Sequence, residues 1–453
     1  MHDLTSGRAC LFGALALFLF SMPALARDGA GNAACPAGSN CITGLTATDL
    51  LGSASRLINA GRTADAAAIL DGLQNLTADQ ETERAFLRGM IAMQEEDYET
   101  AASRFRDILA SQPGLQRVRL ELARALFLSR HDSAADYHFR LVLADHPPDA
   151  VAANINRFLA AIRERRVWSV DVQFGIVPDS NANAAPNDDR VDLFGLPFTL
   201  SRDAQQTGGI GIIASGQVTA RPRLSRSVRL YSSAGVRHSD FFNGDFDDTI
   251  VSGEIGPEVS TSAGIFLPSL IYFHRWFGHE DYNSGIGGRL SWEKDVSRTW
   301  SLQISGEWRY IDNKVNDDLD GPFYLLGVLA QHRLDGRSYM NYQAVVRRTA
   351  AKAPAFAYYE PALTVGYGRE FGLGVTAYFS VEAAPSFYDA ASPAFGKVRE
   401  DWRLNGSVSL VKRDWSWKGF APLIRISYTR NLSNISFFEY KRLRGEFSVT
   451  RRF

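Results

Sequence analysis

The chain has 453 residues, a length that predicts two or three domains. Its formal net charge is −1, so no global charge points to nucleic acid as a partner. Hydrophobic residues make up an ordinary 45%. No run beyond the N-terminal segment reaches the ~18 continuous apolar residues of a membrane-spanning helix.

The first predicted element is a secretory signal peptide over residues 1–26. Residues 9–20 (ACLFGALALFLF) form a short apolar run after Arg8, and the small residues ALA follow at 24–26. A short apolar run before a small-residue cleavage site is typical of a cleaved signal. The alternative is an uncleaved anchor, for which the run is short.

Cysteine use fits an oxidising compartment. Cys10 would leave with the signal, so Cys35 and Cys41 remain in the segment CPAGSNC of a predicted linker over 27–45. Their spacing is not that of a redox pair, and no second Cys/His pair completes a metal site. We predict a local disulfide between them.

Residues 46–166 are predicted to form a helical repeat domain. Matching residues recur 34 positions apart, which is the tetratricopeptide (TPR) period. Small residues let paired helices approach closely, an aromatic residue fills the gap, and proline ends the second helix. The signature residues are Gly89, Ala101, Phe105, Pro113, Ala123, Ala135, Phe139 and Pro147. The alternative is a generic helical bundle, whereas a TPR-like α-solenoid would bind extended segments of partner proteins.

From Trp168 onward the hydrophobic period changes to two. Apolar residues of 168–176 alternate with polar ones, as they also do over 300–310 and 424–429. A soluble sandwich and a membrane barrel both show this alternation, but a barrel turns its apolar side chains to lipid and its polar ones to the lumen. About fourteen strands can be counted over 167–453, each near the ~9–11 residues of a tilted span.

The links between the strands favour the membrane barrel. Short links are predicted at 221–227, 261–264, 295–299, 334–337, 371–374 and 413–419, and long ones at 178–209, 238–248, 278–285, 312–321 and 388–401. Short periplasmic turns that alternate with long outer loops are typical of outer-membrane barrels. We therefore predict an antiparallel transmembrane β-barrel in a Gram-negative outer membrane, with the TPR-like domain in the periplasm. We expect the 178–209 link to plug the lumen, held by Glu307, Arg309 and Arg425.

The last strand is predicted to close the barrel and to carry an insertion signal. The residues assigned to it are Gly445, Phe447, Val449 and Phe453. Phe447, Val449 and Phe453 share one face, and a terminal strand that ends on Phe resembles the signal by which outer-membrane barrels are recognised. The predicted partners therefore include the lipid bilayer and the barrel assembly machinery.

No motif for catalysis, metal binding or cofactor binding stands out. The eight histidines form no HExxH pattern, and the sequence has no GxSxG and no P-loop. Acidic loop residues such as Asp245 and Asp317 could bind calcium in principle, but solvated loops are the default interpretation. The sequence predicts no enzyme, no cofactor and no metal site.

The order of TPR repeats, opening strand and barrel resembles the surface lipoprotein assembly modulator (Slam) family. The specific match is the segment RRVWSVDVQFGIVPDSNANAAP, through Trp168, Asp179, Ser180, Asn181, Asn183 and Pro186. The resemblance implies an outer-membrane translocator that delivers client proteins to the cell surface. Its clients would be surface lipoproteins or secreted haem- or metal-binding proteins, with no nucleic acid involved.

Two other functions stay open from the sequence. One is a polysaccharide- or solute-exporting pore whose repeats dock periplasmic partners, and the other is a structural, adhesin-like barrel acting through its outer loops. The fused protein-binding solenoid favours the translocator, because a passive porin needs only a barrel.

Overall fold

The computed structural model describes residues 45–165, 167–193, 196–242, 246–372, 374–412, 415 and 420–450. The predicted signal peptide, Cys35, Cys41, Asp245 and Phe453 lie outside these ranges, so the predictions made for them stay predictions. Among the described residues, no helix combines the length and the apolar character needed to cross a bilayer.

The described N-terminal part is helical. Its helices are α1 (Ala47–Asn59), α2 (Thr63–Gly72), α3 (Ala78–Gln94), α4 (Tyr98–Ser111), α5 (Gln116–Leu128), α6 (Asp132–Ala144) and α7 (Asp149–Arg165). Helix α1 begins with a capping box, in which the Thr46 hydroxyl accepts from the Asp49 amide and the Asp49 carboxylate accepts from the Thr46 amide.

The chain divides into two compact units between Gln94 and Glu95. The first unit contains α1–α3, whose core includes Leu51, Ile58 and Phe86. The second unit contains α4–α7 together with the whole barrel. Four of the seven described helices are therefore part of the same compact unit as the barrel.

The TPR signature residues occupy the positions that their sizes require. Ala101 and Phe105 of α4, Ala123 of α5, and Ala135 and Phe139 of α6 are all fully buried. The three alanines lie where helices pack, so the helices approach closely.

The remaining signature residues lie within α3 or directly after α4 and α6. Gly89 is buried within α3, whereas Pro113 and Pro147 follow the ends of α4 and α6. The Phe139 ring stacks on Phe158 of α7 at 5.0 Å, which joins the last helix to the stack.

The described C-terminal part is built of strands. They are β1 (Trp168–Asp179), β2 (Arg190–Leu193), β3 (Leu196–Thr199), β4 (Gly209–Ala220), β5 (Val228–Phe241), β6 (Asp248–Thr261), β7 (Gly264–Phe277), β8 (Glu280–Asp295), β9 (Trp300–Asn313), β10 (Gly321–Arg333), β11 (Ser338–Thr349), β12 (Tyr358–Glu370), β13 (Val375–Ala391), β14 (Val398–Lys412), β15 (Ala421–Ser433) and β16 (Tyr440–Thr450).

Fourteen of these strands form a closed antiparallel barrel. Each strand from β4 onward pairs with the next, and β1 closes the ring by pairing with both β4 and β16. Strands β2 and β3 form a separate hairpin within the link between β1 and β4. The predicted fold, a helical repeat domain followed by a fourteen-stranded barrel, is confirmed.

The two faces of the barrel wall have opposite character. Outward-facing Phe174, Ile176 and Phe447 are exposed, whereas Glu254 and Arg289 line an interior cavity of about 450 Å³. Apolar side chains outside and polar side chains inside are the distribution of a membrane barrel and the reverse of a soluble protein.

The outer links are shorter than predicted because the strands run further. Strands β7 and β8 are joined by residues 278–279 alone, so β8 contains most of the predicted loop 278–285. Strand β13 likewise continues to Ala391. Polar residues at these strand ends resemble a loop in sequence, but a ladder that extends beyond the bilayer still pairs its backbone groups.

Candidate functional site

The seam between β1 and β16 is where the barrel closes. Five positions pair there, Gln173–Ile176 and Asp179 of β1 with partners on β16. On its other side, strand β1 pairs with β4 at twelve positions. Because Thr450 is the last described residue of β16, this register covers the seam from Gln173 onward.

Pairing lapses within the seam at Val177 and Pro178. Register runs from Gln173 to Ile176 and resumes only at Asp179. Proline has no backbone N–H, so Pro178 cannot donate to a ladder hydrogen bond. On β16, Gly445 accommodates the proline ring, because a Cβ at that glycine would lie 3.0 Å from Pro178 Cγ.

A polar cluster joins the two strands beyond this lapse. The Asp179 carboxylate accepts from Arg442 at both oxygens, with Nε–Oδ1 at 3.0 Å and Nη2–Oδ2 at 2.6 Å. Asp179 Oδ1 also accepts from the Asn181 amide at 3.0 Å. A two-pronged arginine–carboxylate pair is among the stronger polar contacts in proteins.

The next two residues of the link add further contacts to β16. Ser180 N donates to Leu443 O at 2.9 Å, and Leu443 N donates to Ser180 Oγ at 2.8 Å. The fully buried Asn181 donates to Lys441 O at 3.2 Å and exchanges two bonds with the Ala185 backbone. We call Asp179, Ser180 and Asn181, with their partners Lys441, Arg442 and Leu443, the outer clasp.

The remaining motif residues have different places. Asn183 donates to Gln205 O at 2.8 Å and accepts from Thr207 N at 3.1 Å, so it ties the two ends of the β1–β4 link together. Pro186 is buried beside this turn. Trp168 lies at the opposite end of β1 and is exposed. The structure thus gathers Asp179, Ser180 and Asn181 into one cluster and leaves Trp168 outside it.

The lumen wall carries charges that pair with one another. Arg289 donates to Glu254 at 2.9 Å and to Glu307 at 2.7 Å. Arg309 pairs with Glu307 at 3.0 Å, and Arg425 with Glu446 at 3.2 Å.

These ion pairs test the prediction that Glu307, Arg309 and Arg425 hold the 178–209 link as a plug in the lumen. Within the described residues, Glu307, Arg309 and Arg425 bind neighbours on the barrel wall rather than the 178–209 link. Leu196 and Phe198 of that link are exposed. The prediction that the three charged residues hold a plug is wrong, because Glu307 and Arg425 pair with residues of neighbouring strands and Arg309 pairs with Glu307 of its own strand.

Helices α5 and α6 are fixed to the barrel by a buried ion pair. Arg119 Nη2 lies 2.7 Å from Glu370 Oε2 at the end of β12, with side-chain exposures of 0% and 1%. Tyr137 of α6 donates to Glu370 Oε1 at 2.8 Å, and Arg119 also donates to Pro113 O at 2.8 Å. We call Arg119, Tyr137 and Glu370 the rim anchor.

More exposed contacts join α6 and α7 to the end of β8 and the turn that follows it. Arg140 bridges Asp136 of its own helix and Asp295 of β8, at 2.8 Å to each, and Asp149 pairs with Arg298 at 2.7 Å. Burial lowers the pKa of Arg140, but the two carboxylates outweigh burial and raise it overall. These contacts, like the rim anchor, lie at the end of the barrel that carries the short turns.

Comparison with known proteins assigns the family. Residues 168–453 match the family described as surface lipoprotein assembly modifier. Residues 49–139 match the description "surface lipoprotein assembly modifier, N-terminal TPR repeats". The chain belongs to the surface lipoprotein assembly modifier family. This is the Slam family of the resemblance above, so the predicted family and the outer-membrane location are confirmed.

Three relatives illustrate the range of the similarity. Surface lipoprotein assembly modifier 1 of Neisseria meningitidis serogroup B is 26% identical, covering 81% of this chain and 75% of the relative. Surface lipoprotein assembly modifier of Moraxella catarrhalis is 22% identical, covering 77% and 69%. The hemophilin secretion modulator of Acinetobacter baumannii is 20% identical, covering 81% and 78%.

Membership of the family assigns the coarse role but not the individual residues. The role lies in the assembly or secretion of surface proteins at the outer membrane. No cluster of three or more His, Cys, Asp or Glu residues suited to a metal ion occurs in the described ranges. The absence of enzymatic activity stays a prediction.

Sequence reasoning missed the rim anchor and half of the outer clasp. Arg119 reads as an ordinary charged helical residue, and Glu370 as the polar end of a strand. Arg442 likewise reads as a strand residue with no link to Asp179. A charged residue among buried helical positions was the available signal for Arg119, since such a charge needs a partner.

Proposed function

We propose that the protein is an outer-membrane translocator that delivers specific client proteins from the periplasm to the cell surface. The clients are surface lipoproteins or secreted haem- or metal-binding proteins. The observation that carries this proposal is the rim anchor. It fixes protein-binding repeats to the end of the barrel that carries the short turns.

The geometry favours a protein client over a free solute. Tetratricopeptide helices bind extended polypeptide segments, and α4–α7 share one compact unit with the barrel. A client held by these helices would be presented at the barrel itself. The names of the relatives support lipoproteins as clients, and the Acinetobacter relative supports secreted clients as well.

The remaining partners follow from the barrel surface. We propose that the bilayer contacts the outward face that includes Phe447 and Val449 of β16, and that the assembly machinery recognises this closing strand. Client folding outside the cell could supply the free energy of export.

The experiment compares four strains of the native host. They are the wild type, a deletion strain, the deletion strain with the full chain restored, and the deletion strain with a chain lacking residues 46–165. Surface proteins are biotinylated on intact cells and identified, and periplasmic fractions are analysed in parallel. Conductance of the purified proteins in planar bilayers is measured alongside.

We expect the deletion strain to lose a small set of surface proteins, which accumulate in the periplasm. The full chain should restore them. The shortened chain should insert as a heat-modifiable barrel, since its strands pair with one another, yet fail to restore display. An unchanged surface proteome together with a high, open conductance would reject the translocator and favour a pore.

A further inference from the structure

We propose that helices α4–α7 form a lid that covers the periplasmic mouth of the barrel and keeps it closed at rest. The rim anchor fixes one side of this lid, and exposed ion pairs at the end of β8 hold another side in a way that can be released. This inference goes beyond the proposed function, because such a lid would close an export pore as well as a translocator.

The first support is the path of α7 across the mouth. Near its start, Asp149 pairs with Arg298 in the turn after β8 at 2.7 Å. Near its end, Glu164 lies 3.6 Å from Arg223 in the turn after β4. These two turns are four strands apart in the ring of fourteen. Strands that lie ~4.8 Å apart and tilt by ~40° make such a barrel about 28 Å wide, which places the two turns about 22 Å apart. The helical rise from Asp149 to Glu164 is also about 22 Å, so α7 spans the mouth as a straight chord.

The second support is the place of α6 beside this chord. Asp132 at the start of α6 pairs with Arg165 at the end of α7, so the two helices are antiparallel neighbours. Tyr137 donates to Glu370 at the end of β12, so α6 lies on the side of α7 that faces β12. The chord of α7 passes about 9 Å from the barrel axis, and packed helices lie about 8–10 Å apart. Helix α6 therefore lies over the centre of the mouth.

The third support is the distribution of the contacts around the rim. Besides the turns after β4 and β8, the helices contact the end of β12, where Arg119 and Tyr137 bind Glu370. In the turn after β12, a Cβ at Gly372 would lie 3.5 Å from Ala110 O of α4. The gaps between these three places are four, four and six strands of the fourteen. Because each gap is less than half of the ring, the barrel axis lies inside the triangle of contacts.

The fourth support is the space that the lid encloses. An interior cavity of about 450 Å³ is lined by residues from Arg221 at the end of β4 to Arg347 of β11. Its wall carries paired charges, which is the lining of a water-filled channel. A layer of helices across the mouth would separate this space from the periplasm.

The contacts of the lid differ in burial, which predicts where it opens. Arg119 and Glu370 are buried at the β12 side, and separating a buried ion pair leaves charges without partners. At the end of β8 and in the turn after it, Asp295 and Arg298 are exposed, and so is Asp149 of α7. Exposed ion pairs contribute little to stability, because water can replace each partner. The lid therefore opens at the β8 side while it stays attached at β12.

The first test releases the β8 side in the full-length protein. The release variant combines Arg140→Gln with Asp149→Asn, which removes both ion pairs to this part of the rim. The matched control combines Arg88→Gln with Asp71→Asn, a pair at 2.7 Å within the first unit. Channel opening is recorded in planar bilayers, and heat modification verifies the folded barrel of each protein.

The second test locks the same side. Asp149→Cys is combined with Arg298→Cys in a background where Cys35 and Cys41 are replaced by serine, and a reversible bis-methanethiosulfonate reagent cross-links the pair. Asp71→Cys with Arg88→Cys replaces the same two residue types within the first unit and is the matched control. Each protein is recorded cross-linked and again after reduction, so every variant supplies its own baseline.

We expect the release variant to raise the open probability at least fivefold over the wild type, with no change in its control. Cross-linking at the β8 side should lower the open probability at least fivefold relative to the reduced protein, and cross-linking within the first unit should leave it unchanged. A release variant that opens as rarely as the wild type would overturn the lid, and so would a cross-linked lid that opens as often as its reduced form. Neither result bears on the proposed function, which the surface proteome of the deletion strain tests separately.

Discussion

The outer clasp and the rim anchor both join parts of the second unit through an arginine and a carboxylate, yet their surroundings differ. At the rim anchor, Arg119 and Glu370 are 0% and 1% exposed. At the clasp, Arg442 is 24% exposed although Asp179 is buried. Removing one partner of a fully buried pair strands a charge, whereas a partly hydrated arginine can turn to water. The comparison predicts a permanent joint at the helices and a releasable one at the seam.

The largest effect is expected from Arg119→Ala. Breaking a buried ion pair by removing one partner costs about 3–5 kcal/mol, because the remaining charge is left unpaired. We expect α4–α7 to loosen from the barrel, seen as proteolysis within 95–165 while the barrel stays resistant. Protease digestion in detergent, followed by mass spectrometry, measures this.

The control for that prediction replaces both charges. Arg119→Met combined with Glu370→Gln removes the stranded charge and should recover much of the protease resistance. A single Arg119→Ala variant as resistant as the wild type would contradict a permanent joint at the rim.

The next effect concerns the lipid face of the seam. Phe447→Asp should sharply reduce the inserted, heat-modifiable barrel, and deletion of Phe453 should act in the same direction. A basic residue at mid-bilayer costs ~2–4 kcal/mol and an acidic residue less, so loss of recognition by the assembly machinery should dominate.

Val408→Asp separates these two causes. Val408 faces outward on β14 and is exposed, but it lies outside the closing strand. The Val408→Asp variant should have a similar free-energy cost of placing a charge in the bilayer but should still be recognised by the assembly machinery. It should therefore insert better than Phe447→Asp. Equal insertion of the two variants would remove the special role of the closing strand.

A smaller effect is expected from Asp179→Asn in the outer clasp. Hydrogen bonds to charged groups contribute about 1.5–3 kcal/mol, and part of this is regained when Arg442 turns to water. We expect a lower heat-modification temperature and more frequent conductance openings, with insertion preserved.

Asp389→Asn is the matched control for the clasp. Asp389 accepts from Arg348 at 2.7 Å, an arginine–aspartate pair elsewhere on the barrel. If both variants open the barrel equally, the seam is not the releasable joint.

The fold could be predicted from the sequence because both of the periodic patterns on which it depends are local. The 34-residue repeat and the two-residue alternation can each be read without any partner strand. The clasp could be predicted only in half, because Asp179 and Asn181 form a compact motif while Arg442 lies at the far end of the chain. Closure of the barrel brings these residues together, and no local sequence pattern predicts the contact between Asp179 and Arg442.

The errors have the same origin. Residues 280–285 look like a loop because they are polar, but pairing with β7 and β9 holds them in a strand. Glu307 and Arg309 look free to bind a plug, but Glu307 pairs with Arg289 of the neighbouring β8 and with Arg309 of its own strand. Single-strand reasoning gives the face of a residue and leaves its cross-strand partner undetermined.

The smallest perturbation tests which side of the membrane each joint faces. Lys397→Cys lies in the link between β13 and β14, and Leu224→Cys lies in the turn between β4 and β5; both native side chains are exposed. In the background without Cys35 and Cys41, a membrane-impermeant maleimide should label the first on intact cells. The second should react only after the outer membrane is permeabilised. The outer clasp shares its end of the barrel with Lys397, and the rim anchor shares its end with Leu224. Labelling of Leu224→Cys on intact cells would therefore invert the assignment and place the outer clasp in the periplasm and the rim anchor at the cell surface.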